Sequence, residues 1–350
     1  MVSELVETGE GLKTIFSLTF GAFAVGRKIQ FRGWACPAMS RPRDLSALYV
    51  HESVEAVIPP GAFVDAFADL DVPTTLIGDG ASVAEDEAVV TYEPRPEFLE
   101  AGWVHCARAG YEAFDTDAFA AAGVPLTNST GIHGESVGEL AIGFMLSLAR
   151  ILHIYRDHQI EREWYEPNYE RPFTIGGERL CVVGLGTIGA AIARRADALG
   201  MEVVGVRRSD EPVEGVSEMY SPAALHDAIA TARFVVLATP HTPETEGLLS
   251  DEEFSVMRED AYVINIGRGP VVDEAALVRA LERGELAGAG LDVFEAEPLP
   301  QDSPLWAMED VIISPHKGSA TNRYHLDIAE LVKTNVERYR EGRELRNRVA

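Results

Sequence analysis

Residues 180–189 read Leu-Cys-Val-Val-Gly-Leu-Gly-Thr-Ile-Gly, an apolar run that enters a Gly-X-Gly-X-X-Gly turn. Residues 190–199 continue with the apolar spacing of a helix, and a strand before such a turn with a helix after it is typical of dinucleotide-binding folds. Strands and helices then go on alternating as far as Ala320. This alternation predicts parallel βαβ units and a doubly wound sheet.

Each glycine of the turn has a predicted role toward a dinucleotide. Gly184 permits the tight turn, Gly186 lets the backbone approach a pyrophosphate, and Gly189 lets the helix pack closely on the strand. The free amides of Thr187 and Ile188 at the start of the helix are predicted to face the phosphates, helped by the helix dipole.

The choice of cofactor is expected to depend on the end of the next strand, residues 201–206. NAD-binding folds usually place an acidic residue there to take the ribose 2′-hydroxyl, but here Arg207, Arg208 and Ser209 follow. Guanidinium groups bind a phosphate through charge-assisted hydrogen bonds, which predicts a preference for NADP(H), with NAD(H) as a second possibility. The alternative is that both arginines only solvate a loop. The turn at Thr239-Pro240 is predicted to pass the cofactor ribose.

Three further strands end in a cation, in acids and in a histidine. The sequences are VINIGRGP over 263–270, AGLDVFEAEP over 289–298 and IISPHKGSAT over 312–321. Ligands of open α/β sheets bind beyond the carboxyl ends of the strands, so Arg268, Glu297 and His316 are predicted to converge. Glu295 is the rival acid.

The segments GLGTIG, NIGRGPVVDEAAL, GLDVFEAEPLP and ISPHKGSAT together resemble the consecutive signatures of the D-isomer-specific 2-hydroxyacid dehydrogenase family. The spacing matches as well, because Glu297 lies 29 residues after Arg268 and His316 lies 19 residues after Glu297. The resemblance covers the chain from about Leu45 onward. It implies Arg268, Glu297 and His316 as a catalytic triad, a small 2-keto or 2-hydroxy acid as substrate, and a homodimer.

Chemistry assigns each of these residues a role. His316 is expected to protonate the keto oxygen and to act as the base in reverse, because the ordinary pKa of imidazole lies near neutrality. Glu297 would orient the ring and favour its charged form, and Arg268 would bind the substrate carboxylate. Asp292 resembles the family residue that holds the nicotinamide carboxamide, with a strand-end cap as the alternative. Ile266 is also expected on the cofactor side.

The substrate is expected to meet main-chain donors opposite the triad. Arg108-Ala109-Gly110-Tyr111 follows a predicted strand, as does the family loop whose amides bind the carboxylate. Gly110 allows a close backbone approach, so Ala109 and Gly110 are predicted to donate amides. Tyr111 is expected either to shape the side-chain pocket or to pack. His133 is interpreted as a structural contact.

The composition is strongly acidic. The 350 residues include 56 Asp and Glu against 30 Lys and Arg, a formal net charge of -26, and only four of the bases are lysines. Such a surface repels nucleic acids and anionic membranes, so neither is an expected partner. Few lysines and many acids resemble haloarchaeal proteins made for high salt. The three cysteines form no CxxC pair, which favours a reduced cytoplasm and no metal site.

The first residues differ from the rest in charge. Residues 1–38 carry four bases and three acids, a net +1, against -27 for the other 312 residues. We interpret residues 1–44 as a disordered or spurious extension and predict that translation starts at Met39, with Met1 as the alternative. A signal peptide is disfavoured, because bases follow the apolar run and no tidy cleavage site is present.

The predicted architecture is α/β with two Rossmann-like domains. A doubly wound NAD(P)-binding domain, residues 139–316, is inserted into a split, flavodoxin-like substrate domain, residues 45–138 and 317–350. One long helix over 135–156 is predicted to connect them, and residues 167–177 read as an interdomain loop.

The expected function is NADP(H)-dependent, reversible reduction of 2-keto acids to D-2-hydroxy acids. Glyoxylate or hydroxypyruvate reduction and phosphoglycerate oxidation are the alternatives within this class. A non-enzymatic dinucleotide sensor with the same fold is the alternative of a different class, and turnover separates it from an enzyme.

Overall fold

Residues 43–350 are described by a computed structural model of the chain. The interpretation of residues 1–44 falls almost wholly outside the described residues. The first sheet has five parallel strands in the order β2-β1-β3-β4-β5, which is the flavodoxin-like order. Its strands β1 to β5 are Ala47–His51, Thr74–Ile77, Glu87–Thr91, Trp103–Cys106 and Leu126–Asn128.

The second sheet has seven parallel strands in the order β12-β11-β10-β9-β6-β7-β8. The order reverses between β6 and β9, as in the doubly wound fold, where such a switch point opens a crevice for ligands. Its strands β6 to β12 are Arg179–Val183, Glu202–Val206, Glu218–Tyr220, Phe234–Leu237, Tyr262–Asn265, Gly288–Leu291 and Val311–Ile313. The short strand β8 was not predicted from the sequence.

Helices cover the two sheets. The helices α1 to α9 are Pro60–Asp65, Thr116–Ala122, Gly134–Ala149, Leu152–Glu161, Thr187–Ala198, Leu225–Ile229, Asp251–Val256, Glu274–Glu282 and Tyr324–Arg340. Helix α9 packs its apolar face, including Ile328, Val332 and Val336, into the core of the first sheet. The chain therefore returns to the first sheet after it has built the second, and the predicted fold class is confirmed. The exact domain boundaries stay a prediction.

The long helix predicted over 135–156 is wrong in one respect. Helix α3 ends at Ala149 and α4 begins at Leu152, with the two axes 66° apart. Ile151 between them has a left-handed backbone (φ 48°) and is buried, and the carbonyl of Ala149 accepts the amide of Phe173 instead of continuing the helix. The apolar spacing continues through Ile151 and Ile154, so periodicity alone gave no sign of the break.

A search of the described residues for helices that could cross a membrane finds no single one of sufficient length and apolar character. The bent pair α3 and α4 reaches the length and composition only when the two helices are taken together.

Candidate active site

The glycine turn after β6 has the geometry that a dinucleotide requires. Gly184 adopts φ +96°, and a Cβ there would lie 2.9 Å from the Ala238 carbonyl. A Cβ on Gly189 would lie 1.9 Å from the Gly184 oxygen, so any side chain there would force the helix off the strand. A Cβ on Gly186 would meet nothing within 4 Å, which leaves the space that a phosphate group would occupy.

Helix α5 begins directly at this turn, with Gly186 as its N-cap. The first amides of a helix have no carbonyl partner within it, so Thr187 and Ile188 carry donors that an anion can use. Ile188 also lines the large cleft described below. The residues present therefore fit a bound dinucleotide.

The residues predicted to meet the 2′-phosphate of the cofactor ribose follow the end of β7. Arg207 donates its amide to the Tyr220 carbonyl, and its guanidinium is only 3.9 Å from an exposed carboxylate of Glu211. Arg208 and Ser209 are exposed. The Arg207–Glu211 contact is long and its carboxylate is exposed, so it contributes little to holding the Arg207 side chain.

Thr239 and Pro240 follow β9 beside the glycine turn. The Thr239 methyl would lie 2.8 Å from a Cβ on Gly184, and its hydroxyl is buried without a hydrogen-bond partner among the described residues. This unsatisfied hydroxyl adjoins the predicted cofactor position, where a ligand group would satisfy it.

His316 and Glu297 form a hydrogen-bonded pair. The His316 Nδ1 lies 2.7 Å from the Glu297 Oε2, and the other carboxylate oxygen accepts the Phe294 amide at 3.1 Å. His316 has a left-handed backbone with φ 52°, and its amide donates to the Asp292 carbonyl at 2.8 Å. Since Glu297 takes Nδ1, the Nε2 atom is left as the nitrogen that can exchange a proton with a substrate.

Arg268 lies at the end of β10 in a turn fixed by a buried amide. Asn265 accepts the Gly267 amide at 3.1 Å and donates to the Arg268 carbonyl at 3.1 Å. The Arg268 guanidinium donates to the neighbouring Gly267 carbonyl at 2.8 Å. Arg268 is exposed, and within the described part of the chain it forms no ion pair, so its charge is available to an anion.

One cleft of about 850 Å³ brings together residues from both sheets. Its lining includes seven residues singled out from the sequence, namely Ala109, Gly110, Ile188, Ile266, Arg268, Asp292 and His316. Tyr111 is not among the lining residues and is 37% exposed. Arg268, His316 and the predicted carboxylate loop thus face the same space, and Glu297 is joined to it through His316. The roles of these residues stay predictions.

The Asp292 carboxylate binds the loop that carries His316. Its carboxylate accepts the Ser314 hydroxyl, the Lys317 amide at 2.9 Å and the Gly318 amide at 3.0 Å. These donors belong to the loop that carries His316. The carboxylate therefore shapes the histidine loop, which is the strand-end role named as the alternative.

Several other lining residues were not proposed as site residues from the sequence, among them Tyr92, Arg108, His133, Lys317 and Tyr324. Arg108 stacks its guanidinium 4.6 Å from the Tyr92 ring centre, and its Nε is buried with no hydrogen-bond partner among the described residues. The ring of His133 packs on Tyr324 at 5.5 Å. Burial, and then the charge of Arg268, lower the pKa of His133, which keeps this ring neutral. The sequence did not predict these two contacts, because each joins residues from different elements of the fold.

A possible metal-ligand cluster lies outside this cleft. His51, Glu52 and Asp79 have ligand atoms within 4.8 Å of one another. However, Arg95 donates to the same Asp79 oxygen at 2.6 Å that lies 3.2 Å from the His51 ring. A guanidinium thus holds the position opposite the histidine, which disfavours a metal ion there.

A glycine turn at the switch point of a doubly wound sheet, and a His–Glu pair beside a free arginine, define a nicotinamide-dependent dehydrogenase. Residues 142–318 match the model of the NAD-binding domain of D-isomer-specific 2-hydroxyacid dehydrogenases. The chain belongs to this family. It is accordingly an NAD(P)-dependent oxidoreductase acting on the CH–OH group of donors.

Relatives with assigned names agree with this family. The chain is 32% identical to a glyoxylate reductase of Thermococcus kodakarensis, over 82% of this chain and 85% of that protein. It is 32% identical to a glyoxylate/hydroxypyruvate reductase B of Yersinia pestis, over 85% and 91% of the two chains. A D-isomer-specific 2-hydroxyacid dehydrogenase of Xanthobacter autotrophicus, solved with NADPH and MES, aligns with a TM-score of 0.73 at 32% identity, covering 87% of this chain and 98% of that one.

Proposed function

We propose that this protein reduces 2-keto acids to D-2-hydroxy acids in the cleft between the two sheets. One observation carries the proposal: a His316–Glu297 pair at 2.7 Å opens onto the same cleft as Arg268 and the Ala109–Gly110 loop. A proton donor, a fixed cation and two main-chain donors are the groups that reduction of a carbonyl beside a carboxylate requires.

The chain's own residues bind and protonate the substrate. Arg268 and the amides of Ala109 and Gly110 hold the carboxylate, which places the keto carbon near the cofactor side of the cleft. His316 then delivers a proton to the keto oxygen, and Glu297 keeps the ring oriented through its hydrogen bond to Nδ1. When bound, a reduced nicotinamide supplies the hydride.

Glyoxylate and hydroxypyruvate are the substrates that we propose first, because the relatives cited above carry these names. The test is a panel of 2-keto acids assayed with NADPH at molar salt, with pyruvate, 3-phosphohydroxypyruvate and branched-chain 2-keto acids beside these two. The product's chirality is measured by chromatography, and only the D isomer fits the proposal. Protein that binds NADPH yet turns over no 2-keto acid would instead support the dinucleotide sensor.

We propose NADP(H) as the preferred cofactor, supported by the position of Arg207 and Arg208 directly after β7. The test compares kcat/KM for NADPH and NADH in the natural protein and in the double variant Arg207→Ala/Arg208→Ala. Loss of two charge-assisted contacts is expected to lower kcat/KM for NADPH by about 30-fold or more, with little change for NADH. Equal rates with both cofactors in the natural protein would contradict the assignment.

We infer that the protein is a homodimer that uses the exposed apolar surface around α4. Trp164 is 91% exposed and Tyr169 94% exposed, and Leu152 and Ile160 of α4 are more than half exposed. Exposed apolar groups in such number mark an interaction surface. Light scattering on the natural protein and on Trp164→Glu tests this inference: the natural protein should have twice the monomer mass and the variant less. A monomeric natural protein would refute it.

We also propose that the enzyme works at high salt in a reduced cytoplasm. The net charge of -26 supports work at high salt, since at roughly 1 M salt the Debye length falls to about 3 Å and the repulsion between carboxylates is screened. The three cysteines without a CxxC pair support the reduced cytoplasm. The melting temperature and the activity are expected to rise with KCl concentration. A protein that is most stable at low salt would contradict the proposal.

A further inference from the structure

Residues 347–350 run antiparallel along β5, the edge strand of the first sheet. The backbone bonds join Asn128 N to Asn347 O at 3.1 Å, Val349 N to Leu126 O at 2.8 Å and Leu126 N to Ala350 O at 3.2 Å. A further bridge pairs Thr127 with Arg348. Asn335 of α9, which is fully buried, holds the start of this segment by exchanging two hydrogen bonds with Arg346, at 2.7 and 3.1 Å.

The side chain of Asn347 reaches past the strand to the turn that follows it. Its Nδ2 donates to the Thr130 carbonyl and, at 3.2 Å, to the Asn128 carbonyl. Asn347 has φ 56°, a left-handed conformation that asparagine tolerates better than most residues. One amide group therefore bonds two carbonyls of the 128–130 turn.

The 128–130 turn also forms hydrogen bonds with the loop of residues 108–110, which faces the cleft. Asn128 donates its side-chain amide to the Ala109 carbonyl at 2.6 Å. Ser129 donates its backbone amide to the Arg108 carbonyl at 3.1 Å and its hydroxyl to the Cys106 carbonyl at 3.1 Å. Two carbonyls of the loop and the last carbonyl of β4 are thus bonded to the 128–130 turn. Because a peptide group is planar, fixing the carbonyls of Arg108 and Ala109 also fixes the amides of Ala109 and Gly110 on the opposite side.

We propose that Asn347 is a positioning residue for substrate binding. It fixes the 128–130 turn, and the turn fixes the peptide planes whose amides receive the substrate carboxylate. Asn347 itself is not a lining residue of the cleft, so its effect passes through Asn128 and Ser129. This inference rests on the proposed function, because that function assigns the carboxylate to the Ala109–Gly110 amides.

The test uses Asn347→Gly in the full chain, with Arg348→Ala as the matched control. Glycine keeps the left-handed backbone and removes only the amide, whereas the Arg348 side chain bonds Ala350 within the same segment and leaves the turn untouched. We expect Asn347→Gly to raise KM for the 2-keto acid about 3- to 10-fold, the loss of roughly one net hydrogen bond. The kcat and the KM for NADPH should stay within about twofold of the natural values, because His316 and the glycine turn are not touched.

Amide hydrogen exchange over residues 106–112 supplies a readout that needs no substrate. Exchange there should speed up in Asn347→Gly and stay unchanged in Arg348→Ala. A KM equal to that of the natural protein, or an equal KM change in the control, overturns the inference, even if the melting temperature falls. If the natural protein reduces no 2-keto acid, the proposed function fails. Faster exchange over 106–112 would then still show that Asn347 orders the loop, and unchanged exchange would overturn that as well.

Discussion

Replacing Asp292 by asparagine distinguishes two roles for a buried carboxylate. The resemblance to the family implies that Asp292 binds the carboxamide of the nicotinamide. In the structure, Asp292 is 3% exposed and its oxygens accept three hydrogen bonds from the loop that carries His316. Asp292→Asn is therefore expected to disturb the histidine more than the cofactor.

The magnitude follows from the hydrogen bonds. An asparagine keeps one acceptor oxygen, which can still serve two of the donors, but it turns an N–H toward the third. Losing one bond to a charged acceptor costs about 1.5–3 kcal/mol. If that cost falls on the placement of His316 in the transition state, kcat decreases roughly 10- to 150-fold. The dissociation constant for NADPH should change by less than about threefold, since the described bonds of Asp292 go to the protein.

The assay measures kcat with saturating 2-keto acid and NADPH affinity by quenching of protein fluorescence. Ser314→Ala is the matched control, because it removes one of the three donors and leaves the carboxylate intact. Its decrease in kcat should be smaller than that of Asp292→Asn. A variant Asp292→Asn with normal kcat and NADPH binding weakened tenfold or more would refute the loop role in favour of the cofactor role.

Three further predictions concern a cation, a buried histidine and a glycine. Arg108→Met should raise KM for anionic substrates at least about fivefold, with partial rescue by Arg108→Lys, because a cation with an unsatisfied Nε lines the cleft; an unchanged KM would remove Arg108 from the site. Burial lowers the pKa of His105 from 6.5 to about 3, so the stability it contributes is full above pH 6.5 and is lost as the pH falls toward 3, by about 1.4 kcal/mol per pH unit. Urea unfolding measures the free energy of unfolding at pH 7 and at pH 5. Its decrease from pH 7 to pH 5 should be smaller in His105→Gln than in the natural protein, and an equal decrease would contradict this prediction. Gly189→Ala should abolish NADPH binding, since its Cβ would lie 1.9 Å from the Gly184 oxygen; titration with NADPH checks this, and natural affinity would contradict it.

The strands were the part of the fold that the sequence predicted best. The strand predicted over residues 201–206 agrees to within one residue with β7, Glu202–Val206, because buried parallel strands are short apolar runs between turn residues. The break at Ile151 was not predicted, and it is accompanied by a hydrogen bond from the Phe173 amide to the Ala149 carbonyl, more than twenty residues away. Local periodicity cannot show a bond of that kind.

In the candidate site, too, local sequence patterns predicted some residues, whereas contacts between distant residues were not predictable. Arg268 and His316 follow closely after β10 and β12 and line the same cleft, as residues beyond the carboxyl ends of parallel strands are expected to do. Arg108 and Tyr92 stack in the cleft from two different strand ends, and neither their spacing nor their residue types single out that contact. Asp292 was noticed, but which of its two roles applies depends on donors 22 to 26 residues further along the chain.

Three buried polar side chains explain why the cleft is built from loops and yet holds a defined shape. Asn128, Asn265 and Asp292 are each 3% exposed or less, and each lies at or next to the end of a parallel strand. Their hydrogen bonds go to the loops that carry Ala109, Arg268 and His316 respectively. A buried amide or carboxylate without its partners is costly, so each loop can leave its position only by exposing such a group. The loops that face the substrate are therefore held from the strand ends beneath them, and substitutions at these three positions should affect substrate binding and catalysis although only Asp292 lines the cleft.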